Sequence, residues 1–111
     1  MSSAAADNGK CSNMPAGRIF RTADAIADLD GIWDYIARDN VIAADQIMDE
    51  LNQRFQLMAK NPEIGEPQPK LADGTYRRVT CRNYVIYYRP LEQSIAIVRV
   101  LHGARNHETL L

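Results

Sequence analysis

The sequence predicts an α+β domain: an N-terminal strand, then an antiparallel helical hairpin packed on a mainly antiparallel four-stranded sheet, in the order β-α-α-β-β-β. Three observations predict this fold. In two successive stretches of the first half, apolar residues recur at intervals of three and four, the spacing of amphipathic helices. Short runs rich in Val, Ile and Tyr follow in the second half, with brief turns between them. The chain has 111 residues, the length of one domain.

The first strand and the first helix follow one another directly. Arg18–Arg21 is predicted to be a short strand. Thr22 suits a helix N-cap, because its hydroxyl can accept a hydrogen bond from an unpaired N–H of the first turn. The helix is predicted over Ala23–Arg38, and its apolar stripe consists of Ile26, Leu29, Ile32, Trp33 and Ile36.

A second helix follows after a brief break. Asn40 can cap its start, and the pair Asn61-Pro62 ends it, because proline lacks the N–H that a helix needs and restricts the residue before it. Its apolar stripe consists of Ala44, Ile47, Met48, Leu51, Phe55 and Met58. So short a connection requires the two helices to lie antiparallel, as a hairpin.

The second half of the chain has the pattern of antiparallel strands. The stretch NPEIGEPQPKLADG, residues 61–74, contains three prolines and two glycines and is predicted to be a loop. Strands are predicted over Thr75–Thr80, Tyr84–Arg89 and Ser94–Leu101. The turns between them are short, so neighbouring strands must pair antiparallel.

Residues 1–17 differ in composition from the rest of the chain. They are mostly small and polar, so we expect a disordered or loosely ordered leader before one domain over residues 18–111. The leader lacks the basic and apolar regions of a secretory signal, and no apolar run reaches the roughly 18 residues that span a bilayer. We therefore expect a cytoplasmic protein with two free thiols, Cys11 and Cys81.

Charge is divided between the two halves of the chain. The net charge is only −1, but residues 23–50 are rich in acids with Arg38 as the single base, whereas residues 74–105 are rich in arginine with Glu92 as the single acid. The division predicts a face for an anionic partner, although acids on solvated helices and arginines along a sheet produce the same pattern. No spacing indicates a metal site, a phosphate-binding loop or a Ser-His-Asp arrangement, and no cofactor is expected.

Both faces of the central strands are predicted to be apolar. Strict alternation divides the last strand into two sets, one of Ile95, Ile97 and Leu101 and the other of Ala96, Val98 and Val100. The helical hairpin covers one face, and only the leader and the tail NHETLL remain for the other. Because uncovered apolar surface commonly marks a protein interface, we expect a second polypeptide to bind there.

Four motifs occur in a distinctive order in the second half. They are the P-x-x-G loop at Pro62–Gly65, the pair Arg77-Arg78, the strand YVIYYR at Tyr84–Arg89 and the stretch RVLHGAR at Arg99–Arg105. With the helix sequence ADLDGIWDYIARDN, they resemble the ParE toxins of bacterial toxin–antitoxin pairs, within the RelE/ParE superfamily. The resemblance runs from Arg18 to about Leu111 and implies the fold described above.

The resemblance also implies a function exercised by binding. ParE-like toxins inhibit DNA gyrase, and a ParD-like antitoxin neutralises them by wrapping a C-terminal segment over apolar surface. It implies these two partners, no membrane, contact with nucleic acid only through the partners, and no catalytic residue. The side chains that we expect at partner surfaces are aromatic or cationic: Trp33, Tyr35, Arg77, Arg78, Tyr87, Arg99, His102 and Arg105.

A RelE-like, ribosome-dependent mRNA endonuclease is the alternative within the superfamily. In that case we expect His102 as general acid or base, since imidazole titrates near neutral pH. Arg78 or Arg99 then holds the phosphate, with Tyr87 nearby. Scarcity of lysine argues against this, because RNA affinity comes from many phosphate contacts; the lysines are Lys10, Lys60 and Lys70. An inactive domain that only binds a partner is the third hypothesis.

Overall fold

A helical hairpin lies on one face of a five-stranded sheet. A computed structural model describes residues 18–71 and 74–103, so the predicted leader lies outside the described residues. The elements in chain order are β1 Arg18–Arg21, α1 Ala23–Ala37, α2 Val41–Lys60, β2 Glu66–Pro67, β3 Arg77–Cys81, β4 Tyr84–Leu91 and β5 Ser94–His102. The predicted α+β class and helical hairpin are confirmed.

The strands lie in the order β1-β5-β4-β3-β2. β1 pairs parallel with β5, and the other neighbours pair antiparallel. The four-stranded expectation was wrong by one strand: β2 is a two-residue strand inside the segment predicted to be a loop. Its Pro67 donates no backbone hydrogen bond, and an edge strand tolerates that loss.

Both helices begin at the predicted caps. The side-chain oxygen of Thr22 accepts a hydrogen bond from the N–H of Ala25 at 3.1 Å. The side chain of Asn40 accepts one from the N–H of Ala43 at 3.0 Å. Each cap satisfies an N–H that has no partner within its helix, which sets the point where the helix starts.

The main core lies between the hairpin and the sheet. Its fully buried side chains come from both helices and the central strands, and they include Leu51, Phe55, Met58, Ile86, Tyr88, Ile95, Ile97 and Val100. The helical residues among these belong to the predicted apolar stripe of α2. Burial of this apolar surface is the main favourable contribution to folding.

A second, smaller cluster lies on the opposite face of the sheet, which we call the back face. Val85, Tyr87 and Leu101 of the central strands are buried there beneath Leu71 and Tyr76. The expectation that only the leader or the tail remained to cover this face was therefore wrong. The segment between β2 and β3 supplies two covering side chains: Leu71 from the predicted loop, whose proline-rich and glycine-rich composition concealed it, and Tyr76 from the start of the predicted strand.

A β-bulge in β5 changes which of its side chains face the hairpin. The register of β4 and β5 shifts between Tyr87 and Tyr88, so that β5 has one extra residue at Val98. Alternation reverses after an extra residue. Val100 consequently packs in the main core and Leu101 in the second cluster, opposite to the faces predicted from strict alternation.

Side chains of the α1 N-cap and of α1 itself form hydrogen bonds with the backbone of β5 beyond the end of β1. β1 pairs with β5 only as far as Ile97. Beyond that point the hydroxyl of Thr22 donates to the carbonyl of Val98 at 2.9 Å. The carboxylate of Asp28 accepts the N–H of Val100 at 3.0 Å. Since part-buried backbone groups need partners, these contacts take the place of a longer β1 strand.

The same carboxylate also holds the Arg99 guanidinium. Arg99 Nε donates to Asp28 Oδ2 at 2.7 Å, and Arg99 Nη2 donates to Asp28 Oδ1 at 2.9 Å. This hydrogen-bonded carboxylate raises the pKa of Arg99 above its ordinary value. The side chains are only 18% and 14% exposed, so the pair is shielded from solvent far more than a surface salt bridge.

The hydroxyl of Tyr88 holds the P-x-x-G loop against the sheet. It donates to the carbonyl of Pro62 at 2.7 Å and accepts the N–H of Gly65 at 2.9 Å. Burial raises the pKa of this tyrosine. A Cβ atom on Gly65 would lie only 2.6 Å from the Tyr88 hydroxyl, so the loop packs this closely only with glycine.

Replacing Asp28 with Asn removes the charge that pairs with Arg99 while keeping the side-chain size. We expect the free energy of unfolding to fall by about 2–3 kcal/mol, because a largely buried guanidinium loses its charged partner. Urea denaturation measures the change. Asp34→Asn, at an exposed position of the same helix, is the matched control and is expected to change stability by less than about 0.5 kcal/mol. Equal losses in the two variants would contradict this role of Asp28.

Two glycine-to-alanine changes are expected to have opposite effects on stability. Gly65→Ala forces a clash with Tyr88 and should cost about 1–3 kcal/mol. Gly31→Ala, in α1, meets no atom within 4 Å and should add about 0.5–1 kcal/mol, because alanine loses less backbone entropy in a helix. Urea denaturation of both variants tests the pair. A neutral Gly65→Ala would show that the loop is not held closely.

Candidate partner-binding surfaces

A groove lies between α1 and the ends of β4 and β5. Its volume is about 600 Å³, and its lining includes Gly31, Tyr35, Arg38, Tyr84, Val100 and His102. No atom lies within 4 Å of the Cβ that Gly31 lacks, so this part of α1 is open to an incoming side chain. The lining combines apolar and aromatic side chains with the charged groups of Asp28, Asp34 and Arg38, and such a mixed surface suits an amphipathic segment of a partner polypeptide.

Tyr35 and His102, two of the residues predicted to bind partners, line this groove. Tyr35 belongs to α1, and 70% of its surface is exposed. His102 packs edge-on against Tyr84, with ring centroids 5.8 Å apart and an interplanar angle of 88°. Burial raises the pKa of the Tyr84 hydroxyl, and nearby Tyr35 adds to the rise. The groove therefore brings three ring side chains to one surface.

Arg77 and Arg78 are engaged by the protein itself. Arg77 Nη1 donates to the carbonyls of Glu63 and Gly65, at 3.1 and 2.7 Å, and so holds the P-x-x-G loop from a second side. Arg78 Nη2 donates to Glu66 Oε1 at 2.7 Å, which raises the pKa of Arg78. The Arg78 pair is partly solvated, so it stabilises the fold little and leaves this arginine accessible.

The other predicted partner-binding residues have varied environments. Trp33 is half-buried and donates from Nε1 to Asp45 Oδ1 at 2.9 Å, which joins the two helices. Tyr87 is 2% exposed within the second cluster. Arg99 is held by Asp28, as described above. Arg105 lies outside the described residues.

The four residues expected in a nuclease site do not meet at one point. Tyr84 pairs with His102 and packs against the main core, whereas Tyr87 pairs with Arg99 and belongs to the second cluster on the back face. Arg78 pairs with Tyr87 of β4, whereas His102 pairs with Tyr84 of the same strand. These two positions on β4 are three residues apart, which is about 10 Å along the strand. The arrangement therefore separates the imidazole from the tyrosine and from Arg78.

The described residues provide neither a metal site nor a membrane-spanning helix. Among the described residues, no three His, Cys, Asp or Glu side chains are grouped to hold a metal ion. Neither described helix has the length and apolar character required to cross a membrane. Cys81 is a buried free thiol, whereas Cys11 lies outside the described residues.

Asp28, which holds α1 against β5 at the base of the groove, is a position that sequence reasoning missed. The sequence offers it only as one acid among the many of residues 23–50. The signal was its place on the helix, because Asp28 follows the buried Ala25 by three residues and precedes Ile32 by four. An acid on the packed side of an amphipathic helix indicates a buried partner, here the arginine of β5.

Comparison with known proteins identifies the family. Residues 19–107 match the model of the ParE toxin of type II toxin–antitoxin systems, parDE. Toxin ParE1 of Caulobacter vibrioides is 37% identical over 83 residues, covering 74% of this chain and 84% of that protein. Toxin ParE1 of Mycobacterium tuberculosis is 34% identical over 89 residues, covering 78% and 90%. Toxin RelE2 of Caulobacter vibrioides is 37% identical over 89 residues, covering 79% and 97%.

A solved structure has the same fold. A chain of the chromosomal ParDE toxin–antitoxin system from P. aeruginosa superimposes with a TM-score of 0.65 and 20% identity, covering 80% of this chain and 98% of that one. The family match spans most of the sequence, and two of its motifs are explained here by contacts that hold the fold together. The chain therefore belongs to the ParE toxin family of type II toxin–antitoxin systems.

Proposed function

We propose that this protein is a cytoplasmic toxin that inhibits DNA gyrase by direct binding and is neutralised by a ParD-like antitoxin. The observation that carries the proposal is the open groove beside α1 with its exposed aromatic side chain. The engagement of two arginines by the protein itself counts against the nuclease. Arg99 is held by Asp28, and Arg77 by two backbone carbonyls. A phosphoryl-transfer site needs cations directed at the scissile phosphate, and these two point to protein groups instead.

The groove supports action by binding. Aromatic side chains at its surface offer large contact area with few rotatable bonds, which is typical of residues that dominate protein interfaces. Tyr35 projects from α1 with 70% of its surface exposed, next to the open space over Gly31. We infer that the groove receives an amphipathic helix of the antitoxin, which covers apolar surface that the toxin alone leaves exposed.

The RelE-like nuclease is the second candidate because one relative of this chain has the name RelE. Toxin RelE2 of Caulobacter vibrioides is as similar in identity as the ParE1 relative from the same organism. His102 is exposed at the groove, where a substrate can reach it. Its separation from Tyr87 and Arg78 argues against catalysis, because a general acid must act together with the groups that hold the phosphate.

Purified protein is expected to reduce supercoiling of relaxed plasmid by DNA gyrase, and its full-length cognate ParD-like antitoxin is expected to restore it. Binding of the toxin to gyrase is the reason for the loss, and binding of the antitoxin is the reason for the recovery. Agarose-gel topology assays measure both. Cleavage of mRNA on translating ribosomes, with gyrase unaffected, would favour the nuclease. No effect in either assay would favour the inactive partner-binding domain.

Truncation of Tyr35 tests the groove. Tyr35→Ala is expected to weaken antitoxin binding about tenfold, because exposed aromatic side chains at interfaces commonly contribute more than other contacts. Isothermal titration calorimetry measures the affinity. Ile42→Ala is the matched control, since Ile42 is 71% exposed on α2 and does not line the groove. An unchanged affinity for Tyr35→Ala would mean that the antitoxin helix binds elsewhere.

A further inference from the structure

A cationic and apolar patch lies on the back face of the sheet, at the β1 end. It consists of Arg18 and Phe20 of β1, Ala96 of β5, and Arg89 and Leu91 of β4, and we call it the β1 patch. These residues face away from the hairpin, because alternate residues of the same strands are buried in the main core. The patch is therefore on the opposite side of the sheet from the helices.

Strand register brings these side chains together. Phe20 pairs with Ala96, and Ala96 pairs with Arg89, so the three form one row across β1, β5 and β4. Arg18 and Leu91 lie in the next row, on either side of Ser94. β1 and β4 flank β5, about 10 Å apart, with small side chains between them. The small residues form the floor of a shallow trough whose walls carry the larger groups.

The apolar walls of this trough are open. Phe20 is 49% exposed and Leu91 is 37% exposed. The second cluster does not reach them, since Leu71 and Tyr76 pack on Val85, Tyr87 and Leu101. Apolar and cationic groups thus share one exposed surface within the part of the chain that the structure describes.

Neither arginine of the patch is paired with an acid in the described ranges. The ion pairs found there join Arg78 to Glu66, Arg82 to Glu50 and Arg99 to Asp28. Arg18 instead lies over the Phe20 ring, 6.0 Å from its centroid. Arginine forms strong bidentate contacts with carboxylates, so this pair of cations at opposite corners of an apolar trough suits an acidic segment with apolar side chains.

We propose that the β1 patch binds an acidic, apolar segment of the antitoxin, separate from the segment that occupies the groove. This inference rests on the proposed function, because it assumes an antitoxin partner. Charge favours a partner over the chain's own ends. Residues 1–17 contain one acid and one base, Asp7 and Lys10, and residues 104–111 contain Glu108 with Arg105. In each of these two segments the single acid is balanced by a base, so neither supplies an excess of carboxylates for the two arginines.

Charge reversal at Arg89 tests the proposal. Arg89→Glu is expected to weaken binding of the full-length cognate antitoxin about tenfold or more, and to reduce the dependence of affinity on salt. Inhibition of gyrase by the isolated toxin should stay unchanged. Isothermal titration calorimetry at 50 and 300 mM salt and the supercoiling assay are the measurements. Arg54→Glu is the matched control, because Arg54 is exposed on α2, on the hairpin side.

A second variant tests the apolar half of the patch. Phe20→Ser removes the exposed ring without changing charge and should also weaken antitoxin binding, with folding followed by circular dichroism. Unchanged antitoxin affinity for both Arg89→Glu and Phe20→Ser, in variants that fold as the wild type does, would overturn the inference.

The experiment separates the two proposals. If the wild-type toxin binds no antitoxin and leaves gyrase active, the proposed function fails. If the wild type binds antitoxin while Arg89→Glu and Arg54→Glu bind with equal affinity, the proposed function stands and the β1 patch is not an antitoxin site.

Discussion

The attachment of α1 to the end of β5 depends on one carboxylate. Asp28 accepts two hydrogen bonds from the Arg99 guanidinium and one from the backbone of Val100. These contacts lie where β1 has ended, so they hold the helix against a strand edge that otherwise lacks partners. The groove lies between this helix and this strand, and its shape is therefore set by a largely buried ion pair.

A second set of contacts joins the P-x-x-G loop to the two strands β3 and β4. Tyr88 and Arg77 bind the same P-x-x-G loop, one through its hydroxyl and the other through its guanidinium. Gly65 lets the loop approach the tyrosine ring. Arg77, which the sequence predicts at a partner surface, thus holds a loop in place. Much of the arginine enrichment of the second half serves the fold, because Arg77, Arg78 and Arg99 bind groups of the protein itself.

The two faces of the sheet have different surfaces. The helical hairpin covers one face of the sheet, with the main core between them, and the groove lies at the margin of this face. The back face is covered near the middle of β4 by the segment before β3, while its β1 end exposes aromatic and cationic groups. A partner that occupies both surfaces must pass around an edge of the sheet. The small size of the domain makes this possible for a short polypeptide segment.

The sequence by itself determined the elements whose signals are local. Helix spacing, the caps at Thr22 and Asn40, and the strand runs of the second half needed only near neighbours, so they were predicted correctly. Tertiary structure decided the rest: the short β2 strand, the bulge at Val98, the cover provided by Leu71, and the pairing of Arg99 with Asp28. Each of these depends on register or contact between residues far apart in the chain, and a single sequence does not record such distances.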